Sequence, residues 1–318
     1  MSKLRVVYFG TPDFSAYFLQ KCVAELSDRI EIVLVVTQPD KPVGRKQILT
    51  ATAVSDLADK HSIPVYKKSL KQNTEIVELL TELSPDMALV FAYGEIISKD
   101  VLHIPVRGFW NIHPSLLPLY RGASPVAYPL MMGDRETGVT LMKMDEKMDH
   151  GPIIAQTEIA IEPEENRIQL TARLSDIAFD LFKTNLDNTN EADYKVQHHE
   201  RATVTSLFTK EDGFIPFPYI HAGIHGIAYQ ELPQILRRYL EKYNQTLSSS
   251  PAEVIYNLYR GLNDWPGIWT KVVTQGQEKR LKITECSLHE GKLIIERVQL
   301  EGKNEVDFKT FQEAYKIF

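Results

Sequence analysis

Leu4-Arg5-Val6-Val7-Tyr8-Phe9 is a short apolar run closed by Gly10, and beyond Thr11-Pro12-Asp13 the apolar positions Phe14, Tyr17, Phe18 and Leu26 recur at helical spacing. The pattern predicts strand, turn and helix. Ile32 to Val36 and Met87 to Ala92 are apolar runs without polar alternation, the composition of strands covered on both faces. Between them a helical stretch carries Ile76, Val77, Leu80 and Leu83. Buried strands alternating with amphipathic helices imply right-handed crossovers, so the first half of the chain is expected to be a Rossmann-like, doubly wound α/β sheet. Residues 138–143 and 153–161 read as two further strands around a loop, and 168–186 as a closing helix. Polar, aperiodic residues follow from Asp187 to Arg201, which sets the expected division at 1–188, a linker at 189–207, and 208–318. Short strand patterns at 269–273, 280–283, 292–298 and 306–308 make the second domain small and β-rich.

At about 100 to 200 residues per domain, 318 residues agree with two domains. The 36 Lys and Arg against 42 Asp and Glu argue against a general nucleic-acid binder, whose phosphate affinity needs clustered cations. From Phe208 onward basic and acidic residues balance at 14 each, so the whole deficit lies in the first part. Cys22 and Cys286 are too few for a disulfide framework or a four-thiolate zinc site. No run approaches the roughly 18 apolar residues of a membrane helix, and Met1-Ser2-Lys3 leads directly into a strand pattern, so a cytoplasmic protein is expected.

Ligands of an open parallel sheet bind beyond the carboxyl ends of its strands, which directs attention to the loops after Phe9, Val36, Ala92, Trp110 and Lys143. The Gly10 turn lacks the glycine pattern of dinucleotide folds, and no phosphate-binding G-x-x-x-x-G-K-[ST] string occurs. Asn111 and His113 stand two residues apart, hence on one side of a strand, and Asp149 follows in a Gly- and Pro-marked turn. An amide to donate to a developing oxyanion, a histidine titrating near neutrality and a carboxylate to tune it suit transfer at a carbonyl carbon. Taken singly, Asn111 suits a turn cap and His113 a satisfied buried imidazole. His198-His199 and His221 with His225 have metal-ligand spacing but no accompanying carboxylate or thiolate cluster, so they are read as solvated loop residues and no metal is expected.

The string Asn111-Ile112-His113-Pro114-Ser115-Leu116-Leu117-Pro118, followed by Gly138-Val139-Thr140 and by Asp149 and Gly151, resembles the folate-dependent formyltransferase superfamily. Val6 to Phe14, Val36 to Arg45, Trp265-Pro266-Gly267 and Val298 to Lys303 resemble, within it, the methionyl-tRNA formyltransferase family. The resemblance implies 10-formyltetrahydrofolate as co-substrate, initiator methionyl-tRNA as partner, a C-terminal barrel of oligonucleotide-binding type, and a monomer. It implies catalytic roles for Asn111, His113 and Asp149 and a folate-binding role for Ser115, Leu116, Leu117 and Pro118. The pterin end is expected between the loops 93–97 and 144–149, bringing in Phe91, Tyr93, Gly94, Glu95, Ile97 and Asp145, with Met142, Met144 and Met148 lining the pocket. The tRNA acceptor stem is expected at Lys41, Arg45 and Lys46.

Two departures concern the acceptor. Ala51 to Ser55 stands where the family has Pro-Ser-Pro-Val-Lys, and 215–250 reads as an insertion. The alternatives are an amino-sugar nucleotide N-formyltransferase, which would use the same three residues with a nucleotide-sugar site in the Gly10 loop, and a non-catalytic folate- or RNA-binding protein of the same fold.

Overall fold

A computed structural model gives the fold for residues 2–44, 46–71, 74–188 and 190–318. The chain runs through β1 (Leu4–Gly10), α1 (Asp13–Glu25), β2 (Ile30–Val36), a hairpin of β3 (Lys41–Val43) and β4 (Ile48–Thr50), α2 (Ala53–Lys60), β5 (Val65–Tyr66), α3 (Glu75–Leu83), β6 (Met87–Phe91), α4 (Lys99–Leu102), β7 (Phe109–His113) and β8 (Arg121–Gly122). It continues through α5 (Ala127–Met132), β9 (Glu136–Lys143), β10 (Ile153–Ala160), α6 (Arg167–Asn185), β11 (Val204–Thr205), α7 (Phe217–His225), α8 (Gln234–Tyr243) and α9 (Pro251–Gly261). The last elements are β12 (Ile268–Thr274), β13 (Gln277–His289), β14 (Lys292–Leu300), β15 (Glu305–Asp307) and α10 (Phe308–Tyr315). Two compact units result: residues 1–122, 138–159 and 171–204, and residues 123–137, 160–170 and 205–318.

The main sheet has the order β10-β9-β7-β6-β1-β2-β5. Its β1 is parallel to both β2 and β6, β2 to β5, and β6 to β7. From β1 the chain winds outward through β2 and β5, then returns to β6 on the other side, so the switch point lies between β1 and β6. Helices on the faces bury Val6, Val7, Tyr8 and Phe9 completely, which explains why this strand shows no polar alternation. Gly10 allows close approach at the switch point. A Cβ there would fall 2.0 Å from Ser15 Oγ, the hydroxyl that donates to the Phe91 carbonyl at 2.8 Å.

β9 runs antiparallel to β7, pairing Trp110 with Lys143 and His113 with Thr140. The end of β9 therefore lies beside the start of β7, and the loop after Lys143 does not begin at the carboxyl edge of the parallel strands, as a wholly parallel sheet would have required. Residues 144–152 have to return along β7 before Asp149 meets Asn111. The stretch 189–207, expected as a linker, is built into the first unit as far as Val204. Lys195 and Ile153 exchange backbone hydrogen bonds of 2.8 Å, and Gln197 is buried.

In the second unit the expected barrel is represented by an antiparallel sheet of order β12-β13-β14-β15, a meander with β12 and β15 at its edges. Two helices, α7 and α8, fall within residues 215–250, and α7 contributes the buried Tyr219 and Ile220. Helix α9 begins with a capping box in which Ser250 Oγ accepts from Glu253 N and Glu253 Oε2 accepts from Ser250 N. Residues 123–137 join this unit because α5 packs on α9, where a Cβ on Gly261 would lie 2.8 Å from the Ala127 carbonyl. No described helix is long and apolar enough to cross a membrane.

One packing consequence is testable in the first unit. A Cβ on Gly138 would sit 2.1 Å from the Thr157 carbonyl and 2.6 Å from Leu116 Cδ2. Gly138→Ala is expected to cost about 1–3 kcal/mol, seen as a lower urea midpoint at unchanged m. An unaltered midpoint would contradict the close approach of β9 to its neighbours.

Candidate active site

Strand β7 lies between β6 and β9, and the two-residue period points Asn111 and His113 to one side of it. They are 8% and 4% exposed. Asp149 has φ 48°, a left-handed conformation that costs a non-glycine residue energy and persists where its surroundings over-determine it. Its Oδ2 accepts from the Gly122 amide at 2.7 Å and its Oδ1 from Asn111 Nδ2 at 3.2 Å. His113 Nδ1 lies 3.6 Å from Asp149 Oδ2, too far for a direct hydrogen bond. On the other side of the ring, His113 Nε2 donates to the Tyr120 carbonyl at 2.9 Å. A carbonyl only accepts, so Nε2 carries the proton and Nδ1 is the nitrogen turned toward Asp149.

The loop from Pro114 to Gly122 places that carbonyl. Ser115 is fully buried; its Oγ donates to Leu119 O, and its own carbonyl accepts from Thr140 Oγ1, both at 2.7 Å. Leu117 N donates to Thr140 Oγ1, Gln156 Nε2 donates to Leu117 O, and the Leu117–Pro118 peptide is cis. Tyr120 has φ 59° and donates its amide to Thr203 Oγ1 at 2.8 Å. Ser115 and Leu117 therefore build the loop. Leu116 and Pro118 are partly exposed, and Leu116 lines a cavity of about 320 Å³ with Ile153, Gln156 and Lys195.

The residues expected to receive the pterin divide by burial. Phe91 is buried in the core, its ring packed against Phe14 and Phe18 at 5.2 and 5.4 Å. Tyr93 stands edge-on to Phe9 at 5.5 Å, with a buried hydroxyl that has no hydrogen-bond partner among the described residues. Burial raises its pKa above the ordinary phenol value. Gly94 has φ 87°, and a Cβ there would meet Gln38 Nε2 at 2.6 Å. Glu95 holds Ser69 Oγ and Leu70 N, while Ile97 shares an apolar cluster with Tyr93, Phe109 and Met144. An ion pair of 2.7 Å between Lys99, at the start of α4, and Glu146 links that helix to the loop after β9. Met142 is buried with Leu117 and Ile153, whereas Met148 is 59% exposed.

A polar network beside Asp149 carries residues that the sequence reading did not single out. Gln197 Nε2 donates to the carbonyls of Asp149 and Gly151 at 3.0 and 2.7 Å. Arg121 Nη2 donates to Gln197 Oε1 at 2.6 Å and to His199 Nδ1 at 2.8 Å. His199 stacks on His150 with centroids 3.9 Å apart, and His150 Nδ1 lies 2.6 Å from Asp145 Oδ2. His199 is exposed, as the reading of it as a solvated residue expects, yet a cation and a second imidazole both engage its ring. Among the elements expected at the tRNA, Lys41 and Lys46 are exposed in and beside the β3–β4 hairpin, and Arg45 lies outside the described residues.

The buried amide and imidazole and the partly exposed carboxylate stand on a doubly wound sheet, and the class is that of the formyl transferases: the family model for formyl transferases matches residues 3–186, and that for their C-terminal domain matches 247–293. A methionyl-tRNA formyltransferase of Caldicellulosiruptor saccharolyticus is 35% identical over 98% of this chain and 97% of its own length. That of Thermotoga neapolitana is 36% identical over 95% of this chain and all of its own. The chain belongs to the methionyl-tRNA formyltransferase family. An N-formyltransferase from Helicobacter canadensis shares the fold, with a TM-score of 0.56 at 16% identity over 91% of this chain and 88% of its own.

Partial desolvation, the neighbouring His150 and the Arg121 cation lower the pKa of His199 below the ordinary histidine value, against the weaker pull of Asp145 and Glu200. The folded state therefore favours the neutral ring. As pH falls through the ordinary range near 6.5, the unfolded chain binds the proton first and this contribution to stability is lost. NMR titration of the histidine rings is expected to place His199 below about 6.5 and to move it upward in Arg121→Gln. A midpoint at or above the ordinary value would mean that Arg121 does not donate to this ring.

Proposed function

We propose that the chain transfers the formyl group of 10-formyltetrahydrofolate to the α-amino group of methionyl-initiator-tRNA, giving formylmethionyl-tRNA for translation initiation. The observation that carries the reading is the Asp149 carboxylate held by Gly122 N–H and Asn111 while it faces His113 Nδ1 at 3.6 Å. The bound folate supplies an activated formyl carbon. Asn111 has two amide N–H donors and spends one on Asp149, which leaves the other for the formyl oxygen. A protonated His113, its Nε2 already committed to Tyr120 O, offers Nδ1–H as the second donor. Donors fixed by the fold stabilise negative charge that grows on that oxygen as the amine attacks, more than they stabilise the neutral carbonyl. Asp149 is the base that takes the amine's proton, directly or through water, on its way to the leaving N10.

The residues present suit a folate. Ile97 and Met144 supply apolar surface in one cluster, the ion pair of Lys99 with Glu146 links the start of α4 to the loop after β9, and backbone amides and carbonyls of the two loops would pair with the pterin edge. For the acceptor, Lys41, Arg45 and Lys46 are close together in sequence, a local run of cations suited to phosphates.

His113→Ala and Asp149→Asn are each expected to lower single-turnover formylation of charged initiator tRNA by about 100- to 1,000-fold, at unchanged unfolding midpoints. Near-normal rates in both would remove them from the chemistry. Lys46→Ala and Arg45→Ala are expected to act on KM and kcat/KM for the tRNA and to flatten the salt dependence by about one log–log unit per contact. An unaltered slope, with formylation of amino-sugar nucleotides instead, would transfer the reading to that acceptor class.

A further inference from the structure

We infer that Gln197 is a positioning residue for Asp149, anchored by Arg121; the inference rests on the functional reading above. The carboxylate of Asp149 is oriented by Gly122 and Asn111, but neither fixes the left-handed backbone that presents it. Gln197 does so from the side. Its single amide nitrogen spans the turn, donating to the carbonyls of both Asp149 and Gly151. The amide is 4% exposed, and its oxygen accepts from Arg121 Nε at 3.2 Å and from Nη2 at 2.6 Å. A guanidinium only donates, so this contact determines which end of the Gln197 amide faces which partner: oxygen toward Arg121, both N–H donors toward the turn.

Arg121 is the right anchor because its chain neighbours already hold the site. Tyr120 supplies the carbonyl that binds His113, and Gly122 supplies the amide that binds Asp149. Through Gln197 the side chain between them reaches the backbone of the same carboxylate. The segment 120–122 thus grips Asp149 twice, once at the carboxylate and once at the main chain. His199 accepts from the remaining reach of Arg121 through an unprotonated Nδ1 and keeps the guanidinium in this orientation.

Gln197→Glu keeps the size of the side chain and its contact with Arg121 but removes both donors. Wild-type turnover is measured first with methionyl-tRNA and with amino-sugar nucleotides, which decides the acceptor, and the variants are then assayed with the acceptor used. Gln197→Glu is expected to lower kcat by roughly 10- to 100-fold, while KM for the acceptor and for the formyl donor stays within about twofold. In an Asp149→Asn background the same change is expected to cost nothing further, because it acts only through that carboxylate. Gln197→Asn and Arg121→Lys, which weaken the clamp with smaller changes of charge, are expected to give intermediate losses of kcat and serve if Gln197→Glu fails to fold. A kcat within twofold of wild type in the folded variants, a loss confined to KM, or losses that multiply with Asp149→Asn would overturn the assignment.

Discussion

The site depends on one carboxylate kept in a backbone conformation that its residue type disfavours. Asp149 at φ 48° would relax to another region if left alone. It is retained because its three oxygens are engaged: one carboxylate oxygen by a main-chain amide, the other by Asn111, and the carbonyl by Gln197. Burial of Asn111 and His113 around it removes competing water, so few contacts suffice to fix its direction. A carboxylate aimed in this way can act on an amine proton without first paying for its own reorientation.

The direction of β9 determines where the turn that carries Asp149 begins. A parallel strand would have delivered its loop directly to the carboxyl edge, whereas the antiparallel one starts that loop beside Trp110. The extra path is closed by hydrogen bonds at both ends, from Lys143 N to Pro152 O and from Met144 N to Phe109 O. Gly151 then packs so closely that a Cβ would lie 2.0 Å from the Lys143 carbonyl. The glycine is required by contact and not by φ, and the turn that carries Asp149 is pinched shut behind it.

Much of this was legible in the residues. The apolar runs of β1, β2 and β6 are uninterrupted because both faces are covered, and the two-residue spacing of Asn111 and His113 places them together on a strand. What was not legible follows from where each signal resides. Gln197 sits in a polar stretch with no period, and a polar residue that is buried through long-range hydrogen bonds looks the same in sequence as one in solvent. Phe91 closes an apolar run beside a loop expected to bind a ligand, yet its ring faces α1, an outcome set by packing of Phe14 and Phe18 against it. The reach of the second unit to 123–137 was hidden because α5 lacks a distinctive pattern and is recruited by its contact with α9.

Charge decides where a polyanionic acceptor can be met. With a net charge of −6 and balanced charge from Phe208 onward, the chain has no general attraction for phosphates, so any attraction must be local. In the β3–β4 hairpin the acidic neighbour Asp40 is paired with Lys67 at 3.5 Å. Lys41 donates at 2.5 Å to the neutral Gln38 amide, which leaves its charge uncompensated by that contact. Beside these cations Ile48 and Leu49 are 61% and 67% exposed, apolar side chains that a solitary surface hairpin would do better without. Cations that neutralise phosphate next to apolar groups that cover sugar and base surface are a combination suited to nucleic acid, and less suited to a small nucleotide-sugar. The acceptor reading is therefore favoured by the hairpin, while the proposed catalytic residues Asn111, His113 and Asp149 all lie in the first unit.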